Sequence, residues 1–198
     1  MVGIIAWNYF SNCLSSTAAT FQANAGIFGK VYFPRIIIPF SKVLSGLLRF
    51  FIQVSLFLSL FSYHSIFSDN NLIQFSTNIL ILPLLVVQMA ILGQGIGLII
   101  TSLTTKYRDL SYLVSFGTQL LMYATPIVYP ISSVPDNYKS IIQFNPMTSV
   151  IEGFRFAFFR QNNLDTGIWL FSIFFTSMIF IIGLILFNKT EKDFIDII

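Results

Sequence analysis

The sequence predicts an all-α membrane protein, a polytopic helical bundle of about five transmembrane helices with short re-entrant helices in the outer leaflet. The first observation is composition: 55% of the 198 residues are hydrophobic and 10% are charged, outside the range of soluble globular proteins. The second is a series of apolar runs long enough to cross about 30 Å of hydrocarbon. The third is segment 125–146, which holds four of the seven prolines and is too broken for one span. We expect residues 1–198 to form a single transmembrane domain.

Five segments are expected to span the membrane, namely residues 2–26, 40–61, 72–103, 110–128 and 167–187. The first is the weakest, because polar residues recur in it at helical spacing: Asn8, Ser11, Asn12, Ser15 and Gln22. The second and third are clear apolar runs, interrupted by Pro83, Gln88 and Gln94. Gly93 and Gly97 flank Gly95 as a Gly-x-x-x-Gly pair, which lets another helix approach closely in lipid. The charged tail 188–198 is expected at the membrane interface.

The basic residues orient these spans. One side of the predicted membrane carries Lys30, Arg35, Lys42, Lys106, Arg108, Lys189 and Lys192, whereas the other carries Lys139, Arg155 and Arg160. The positive-inside tendency makes the first side, together with the C-terminus, the cytoplasmic side of a plasma membrane. The net charge of +3 is spread along the chain without a cluster. It therefore favours basic loops that face anionic lipids over a nucleic-acid surface.

Arg49 is expected inside a span. It follows Lys42 by seven residues, about two helical turns, so both side chains fall on one helix face. We expect Arg49 to snorkel toward the same interface rather than to bind substrate, because a lone charge at mid-membrane costs at least about 2.5 kcal/mol. The orientation also starts the chain on the outer side without a basic leader, so we expect a further span upstream.

Residues that carry catalytic or metal chemistry are scarce. Cys13 is the only cysteine and His64 the only histidine, which excludes an intramolecular disulfide and a Cys/His metal cluster. We expect a small packed residue at the first position and a polar loop residue at the second. The pair Gly29-Lys30 is followed by Val31 and lacks the upstream glycine of a phosphate-binding loop. We therefore expect no cofactor on this chain; if ATP drives it, ATP and Mg²⁺ bind a partner subunit.

One predicted helix, residues 110–125, has two different faces. One face carries Tyr112, Ser115, Phe116, Gln119, Met122 and Tyr123, and the opposite face carries Leu113, Gly117, Leu120, Leu121 and Ala124. Aromatic rings with hydroxyl groups can stack on sugars and hydrogen-bond to them. The first face, named the aromatic stripe for Tyr112, Phe116, Gln119 and Tyr123, therefore either lines a glycan conduit or packs against neighbouring helices.

Four motifs carry a family resemblance: KVYFPRIIIP (30–39), TTKYRDLSYLV (104–114), TPIVYPISSVPDNY (125–138) and NPMTSVIEGFR (145–155). In this order and spacing they resemble the permease subunit of the type-2 ABC exporters of cell-surface polysaccharides, the O-antigen, capsule and teichoic-acid branch. Each motif alone is weak, but the four together are specific. The resemblance covers essentially the whole chain.

The resemblance implies a permease rather than an enzyme. Two copies would pair with two ATPase subunits, and a lipid-linked glycan or polyol-phosphate polymer would pass between the copies to the outside. It also implies two cytoplasmic loops that couple to the ATPase, formed by Lys30, Tyr32, Phe33, Pro34 and Arg35 and by Lys106, Tyr107, Arg108 and Asp109. Exposed aromatic and arginine side chains are common interface anchors. The alternative role of Lys106 and Arg108 is that of positive-inside anchors.

The chain departs from this family in two ways. Relatives normally begin with an amphipathic helix and a further span before the position of Met1, and they often carry an acidic or neutral residue at position 49. A truncated chain of this kind is either functional or a fragment. A secondary transporter fits less well, because the clear spans carry only Arg49 as an ionisable residue. An enzyme with Asp136 and Glu152 as its acid pair also fits poorly, and within the ABC class the alternative cargo is a drug or peptide.

The proline-rich segment is the last predicted element. Residues 126–160, on the outer side by the charge count, are expected to form two short helices that re-enter the outer leaflet and are shielded by the permease. Its candidate residues are Pro126, Tyr129, Pro130, Pro135, Tyr138, Asn145, Pro146, Glu152 and Arg155. Asn145 and Pro146 predict a helix start, and Glu152 is expected to pair with Arg155 on that helix. We interpret the element as an outer lid where a glycan leaves.

Overall fold

The computed structural model describes residues 1–28, 33–67, 80–107, 109–129, 131–158 and 165–195. These residues form eight α-helices and one 3-10 turn: α1 (Val2–Ala18), α2 (Thr20–Phe28), α3 (Ile37–Phe67), α4 (Leu82–Lys106), α5 (Leu110–Ala124), the turn Ile131–Ser133, α6 (Asp136–Gln143), α7 (Pro146–Phe158) and α8 (Thr166–Ile195). The described part of the chain contains no β-strand. The all-α prediction is confirmed.

Among the described residues, three helices are long and apolar enough to cross a membrane, over Ile37–Tyr63, Leu82–Thr105 and Thr166–Glu191. They belong to α3, α4 and α8, and they make the chain a multi-pass membrane protein. α1 has 17 residues and α5 has 15, fewer than the roughly 20 that a perpendicular helix needs. The predicted spans 2–26 and 110–128 therefore do not form single long helices.

Two helix boundaries differ from the sequence prediction, and proline explains both. Pro83 does not interrupt a span, because it lies in the first turn of α4, where its missing N–H needs no partner. The fourth predicted span ends at Ala124 and not at 128, because Thr125 is extended with φ −104° and ψ 137°. That conformation is the one favoured for a residue before proline, here Pro126.

The long helices share two ends. At one, named the basic end, the Phe21 ring of α2 stacks on Phe187 of α8 with centroids 4.9 Å apart, and the Phe21 N–H donates to Thr101 Oγ1 of α4 at 3.4 Å. At the other, named the re-entrant end, the rings of Phe57 in α3 and Phe158 in α7 meet at 5.3 Å. α4 and α8 therefore run from the re-entrant end to the basic end, antiparallel to α3.

This arrangement separates the described basic residues as the charge count predicts. Arg35 and Lys42 begin α3 and Lys189 lies in the last turns of α8, all toward the basic end. Lys139 and Arg155 lie in α6 and α7, at the re-entrant end. Lys30, Arg108 and Arg160 lie outside the described residues, and so do the side chains of Lys106 and Lys192.

Glycines let α4 lie against two neighbours at backbone distance. A methyl group on Gly93 would lie 2.9 Å from Cys13 Cβ of α1, and one on Gly183 of α8 would lie 2.6 Å from the Gly95 carbonyl oxygen of α4. Gly97 faces α1 in the same way as Gly93. The close approach predicted at these glycines is confirmed, with alternate positions serving different partners. Cys13 is fully buried in that contact, as expected of a small packed residue.

The Gly183→Ala variant tests this contact. A methyl group there meets the α4 backbone, which cannot rotate away as a side chain can, so we expect a loss of about 1–3 kcal/mol in the free energy of unfolding. Gly117→Ala in α5 is the matched control, because nothing lies within 4 Å of its added methyl group, and higher helix propensity should leave it unchanged or slightly more stable. Denaturant titration in mixed micelles measures both. Equal stabilities would contradict the contact.

Candidate functional site

The re-entrant element follows α5 and contains α6 and α7. The helix start predicted at Asn145 and Pro146 is present: α7 begins at Pro146, and Asn145 Oδ1 accepts the Met147 N–H at 3.0 Å. The Asn145 amide also donates to Thr125 Oγ1 at 2.9 Å, which ties the end of α5 to the start of α7. Pro135 caps α6. Asn145 therefore joins the two ends of the intervening loop.

Arg155 holds that loop from the other side. Its Nη1 lies 2.7 Å from Glu152 Oε1 in α7, as the spacing predicts, and its Nη2 donates to the Ile127 carbonyl at 2.9 Å. The Arg155 and Glu152 side chains are only 14% and 17% exposed. A partly buried pair that also satisfies a loop carbonyl fixes the geometry of the loop on the helix. Pro126 and Ile127 are buried in consequence.

A hydrogen-bond network inside the bundle attaches the same element to α4 and α8. The Gln88 amide of α4 donates to Ser172 Oγ at 2.7 Å and accepts from Trp169 Nε1 at 3.0 Å. The Ser172 hydroxyl in turn donates to the Pro146 carbonyl at 2.9 Å. The sequence analysis treated Gln88 only as an interruption of an apolar run. The signal available was a buried-type amide in one span and a Trp-x-x-Ser pair in another, because polar groups in lipid need partners.

The aromatic stripe of α5 points away from the rest of the protomer. Its side chains are exposed: Tyr112 79%, Phe116 59% and Tyr123 79%, together with Gln119. The opposite face, with Gly117 and Thr118, lines a cavity of about 190 Å³ against Leu14 of α1 and Ile100 of α4. Within the described residues the stripe therefore does not pack against neighbouring helices of its own chain. It is open to a second chain or to a conduit.

The re-entrant element meets the end of this stripe. The Tyr129 hydroxyl donates to the Tyr123 carbonyl at 3.5 Å. A groove of about 530 Å³ lies beside them, between α1, α4, α5, α6 and α8, and Trp7, Phe175 and Asn145 contribute to its walls. Tyr138 on α6 is 61% exposed. Pro130 and the side chain of Asp136 lie outside the described residues.

The predicted coupling loops are only partly described, because Lys30, Tyr32, Arg108 and the side chain of Lys106 lie outside the described residues. Arg35 is not the exposed anchor that we expected: it is 7% exposed, and its backbone N–H and its Nη1 both donate to Glu191 of α8 at 3.3 Å. Phe33 packs partly buried against the α2–α8 contact. The exposed members are Pro34, Tyr107 and Asp109.

No three His, Cys, Asp or Glu side chains come together as a metal site in the part of the chain that the structure describes. The arrangement instead offers an exposed aromatic and hydroxylated face, a fixed re-entrant element and an exposed turn at the basic end. These are features suited to moving and binding a large molecule.

Comparison with known proteins gives a consistent set of relatives. The sequence profile of the family described as ABC-2 type transporter matches residues 1–159. O-antigen export system permease protein RfbA of Klebsiella pneumoniae is 30% identical over 199 residues, covering 100% of this chain and 74% of that protein. RfbA of Myxococcus xanthus is 25% identical, covering 83% and 61%. Polysialic acid transport protein KpsM of Escherichia coli is 26% identical, covering 96% and 71%.

The variants Gln88→Leu and Gln94→Leu test the buried network. Both side chains lie in α4 and are 4% and 3% exposed, but Gln88 is hydrogen-bonded whereas the Gln94 Nε2 has no partner among the described residues. Gln88→Leu leaves the Trp169 N–H unsatisfied, so we expect about 1–2 kcal/mol of destabilisation. Gln94→Leu should be neutral or stabilising. Unfolding titrations in mixed micelles compare them; a larger loss for Gln94→Leu would refute the role of the network.

Proposed function

The chain belongs to the ABC-2 type transporter family, and on that premise we propose that it is the transmembrane subunit of an ATP-driven exporter of lipid-linked polysaccharide. The polymer would move from the cytoplasmic to the outer side of the plasma membrane. The names of the relatives support this cargo, since they describe O-antigen export and polysialic acid transport. A drug or peptide exporter of the same family is the alternative cargo reading.

The observation that carries the proposal is the outward aromatic stripe of α5. A lipid-facing helix gains nothing from the hydroxyl groups of Tyr112 and Tyr123, which are each 79% exposed, or from the amide of Gln119. Such side chains suit a polar surface on which sugar rings stack. We propose that two copies of the chain place their α5 stripes around one conduit. Residues 1–198 then act as one transmembrane domain in which α1 and α5 complete about five spans.

The basic end is proposed to face the cytoplasm, including the C-terminus, and to bind a separate ATPase subunit that holds ATP and Mg²⁺. Exposed Tyr107 and Pro34 supply side chains of the kind that anchor interfaces. The contact of Arg35 with Glu191 would hold the first coupling loop rigidly on α8, so a push on the loop reaches that helix. The unseen Lys30, Tyr32, Lys106 and Arg108 complete the proposed surface.

The re-entrant end is proposed to form the outer lid. Irregular backbone at the depth of the outer leaflet needs protein partners for its polar groups. Bonds from Asn145 and Arg155 to residues 125 and 127 supply such partners. Exposed Tyr138 and the half-exposed Tyr129 would meet the polymer as it leaves.

ATP dependence tests the class. We expect the full-length gene product to purify with a separately encoded ATPase, and its glycan to stimulate ATP hydrolysis by that complex. The measurement is phosphate release from the complex in proteoliposomes, with a hydrolysis-deficient ATPase variant as control. Transport by the permease alone, driven by a proton gradient without ATP, would overturn the proposal and favour a secondary transporter.

Truncation of the stripe tests the conduit. Tyr112→Ala and Tyr123→Ala should each reduce glycan export about 2- to 10-fold, since an aromatic contact is worth about 0.5–1.5 kcal/mol beyond its area. Assembly with the ATPase should be unaffected. Leu120→Ala is the control, because Leu120 is 53% exposed on the same helix but lies off the stripe. Surface glycan and co-purified ATPase are measured together; lost assembly instead of lost export would indicate packing.

A further inference from the structure

A polar cavity lies between α1 and α3, on a side of the protomer that the functions above do not use. Asn8 and Asn12 of α1 and Arg49 and Gln53 of α3 line it, and its volume is about 200 Å³. Arg49 is twelve residues after Ile37, the start of α3, which is about 18 Å along the helix. The cavity is therefore well inside the longest described helices and not at a helix end.

None of these four side chains is satisfied within the described residues. Arg49 has no carboxylate partner there, and the three amides make no hydrogen bond to another described residue. Arg49 and Asn8 are exposed, whereas Asn12 and Gln53 are partly buried. A methyl group at Gly46 would lie 2.9 Å from Asn12 Nδ2. The glycine therefore leaves the room that the Asn12 amide occupies.

The surroundings of the cavity are apolar, which makes its polarity specific. Leu48, Ile52 and Leu56 are exposed on α3 next to it, at 71%, 61% and 59%, as a lipid-facing surface requires. A guanidinium at this depth is costly unless it meets an anion or water, and such residues usually face a cavity or a partner. The cavity therefore fits a polar occupant and not a hydrocarbon chain.

The described part of the chain offers no carboxylate at this depth, even from a second copy. Glu152 already pairs with Arg155, and Glu191 accepts from Arg35 at the basic end. Asp109 and Asp165 precede the first turns of α5 and α8, at the ends of the bundle. The counter-ion of Arg49 must therefore come from another molecule.

We propose that Asn8, Asn12, Arg49 and Gln53 form an anion site that binds a phosphodiester or carboxylate of the transported polymer. Two free oxygens on one carbon or phosphorus match the two-pronged donor geometry of a guanidinium, and the amides add neutral donors. Lipid phosphates lie at the interface, about 15 Å from the bilayer centre, whereas a polymer in transit crosses that centre. The inference rests on the proposed export function and narrows its cargo to an anionic polymer.

The test uses the full-length permease with its ATPase in nanodiscs of phosphatidylcholine. Fluorescence anisotropy measures binding of two labelled oligomers of equal length, poly(glycerol phosphate) and neutral dextran. We expect Arg49→Gln to weaken binding of poly(glycerol phosphate) roughly tenfold or more, since hydrogen bonds to charged groups are the strong ones. Dextran binding should not change. Arg49→Lys should recover part of the binding, because it keeps the charge but not the two-pronged geometry.

Lys42→Gln is the matched control, since Lys42 lies on the same face of α3 two turns nearer the basic end. Equal losses in Lys42→Gln and Arg49→Gln would show a shared interface charge reached by snorkelling, and would overturn the site. So would an equal loss of both oligomers, or unchanged binding in Arg49→Gln, the result expected if a carboxylate of another polypeptide pairs with Arg49. Competition by added phosphatidylglycerol would identify a lipid phosphate as the ligand and also overturn it. Binding needs no ATP hydrolysis, so failure of ATP-driven export would count against the proposed function separately.

Discussion

Close backbone contact between α4 and its neighbours is the constraint on which the rest of the structure depends. Helices in lipid gain little from burying apolar side chains, so they associate through tight packing at small residues. In the span of α4, 56% of an 18-residue window is buried, compared with 17% in α3 and 22% in α8. Gly93 and Gly97 bring α1 to one side of α4, and Gly95 with Gly183 brings α8 to another. α3 and α5, which lack such contacts, keep most of their surface free for lipid or partners.

Polar contacts then decide where the irregular segment sits. Gln88 would be a liability in a lipid-exposed helix, but α8 lies close enough for Ser172 and Trp169 to satisfy its amide. The same Ser172 reaches the first carbonyl of α7 at Pro146. Packing of α4 against α8 therefore creates the attachment point of the re-entrant element, and Arg155 closes the loop above it. The element is fixed by the bundle and not by its own helices, which are too short to be stable alone.

Sequence patterns predicted what depends on one segment and missed what depends on two. The helix start at Asn145, the Glu152–Arg155 pair and the glycine contacts follow from local spacing, and all are present. The burial of Arg35 did not follow, because its partner, Glu191, lies 156 residues away and no pattern joins them. The Gln88 network was missed for the same reason. Which face of α5 is free also required the tertiary structure, since periodicity separates two faces without saying which one packs.

α8 connects the two regions in which function is proposed. It has 30 residues, about 45 Å at 1.5 Å per residue, so it spans the whole protomer. Near its end it binds Arg35 of the first coupling loop, and near its start Ser172 binds Pro146 of the re-entrant element. A helix packed at Gly183 against α4 cannot slide freely. Movement of the coupling loop therefore has to reach the outer element either by rotation of α8 about that glycine contact or by motion of α4 and α8 together.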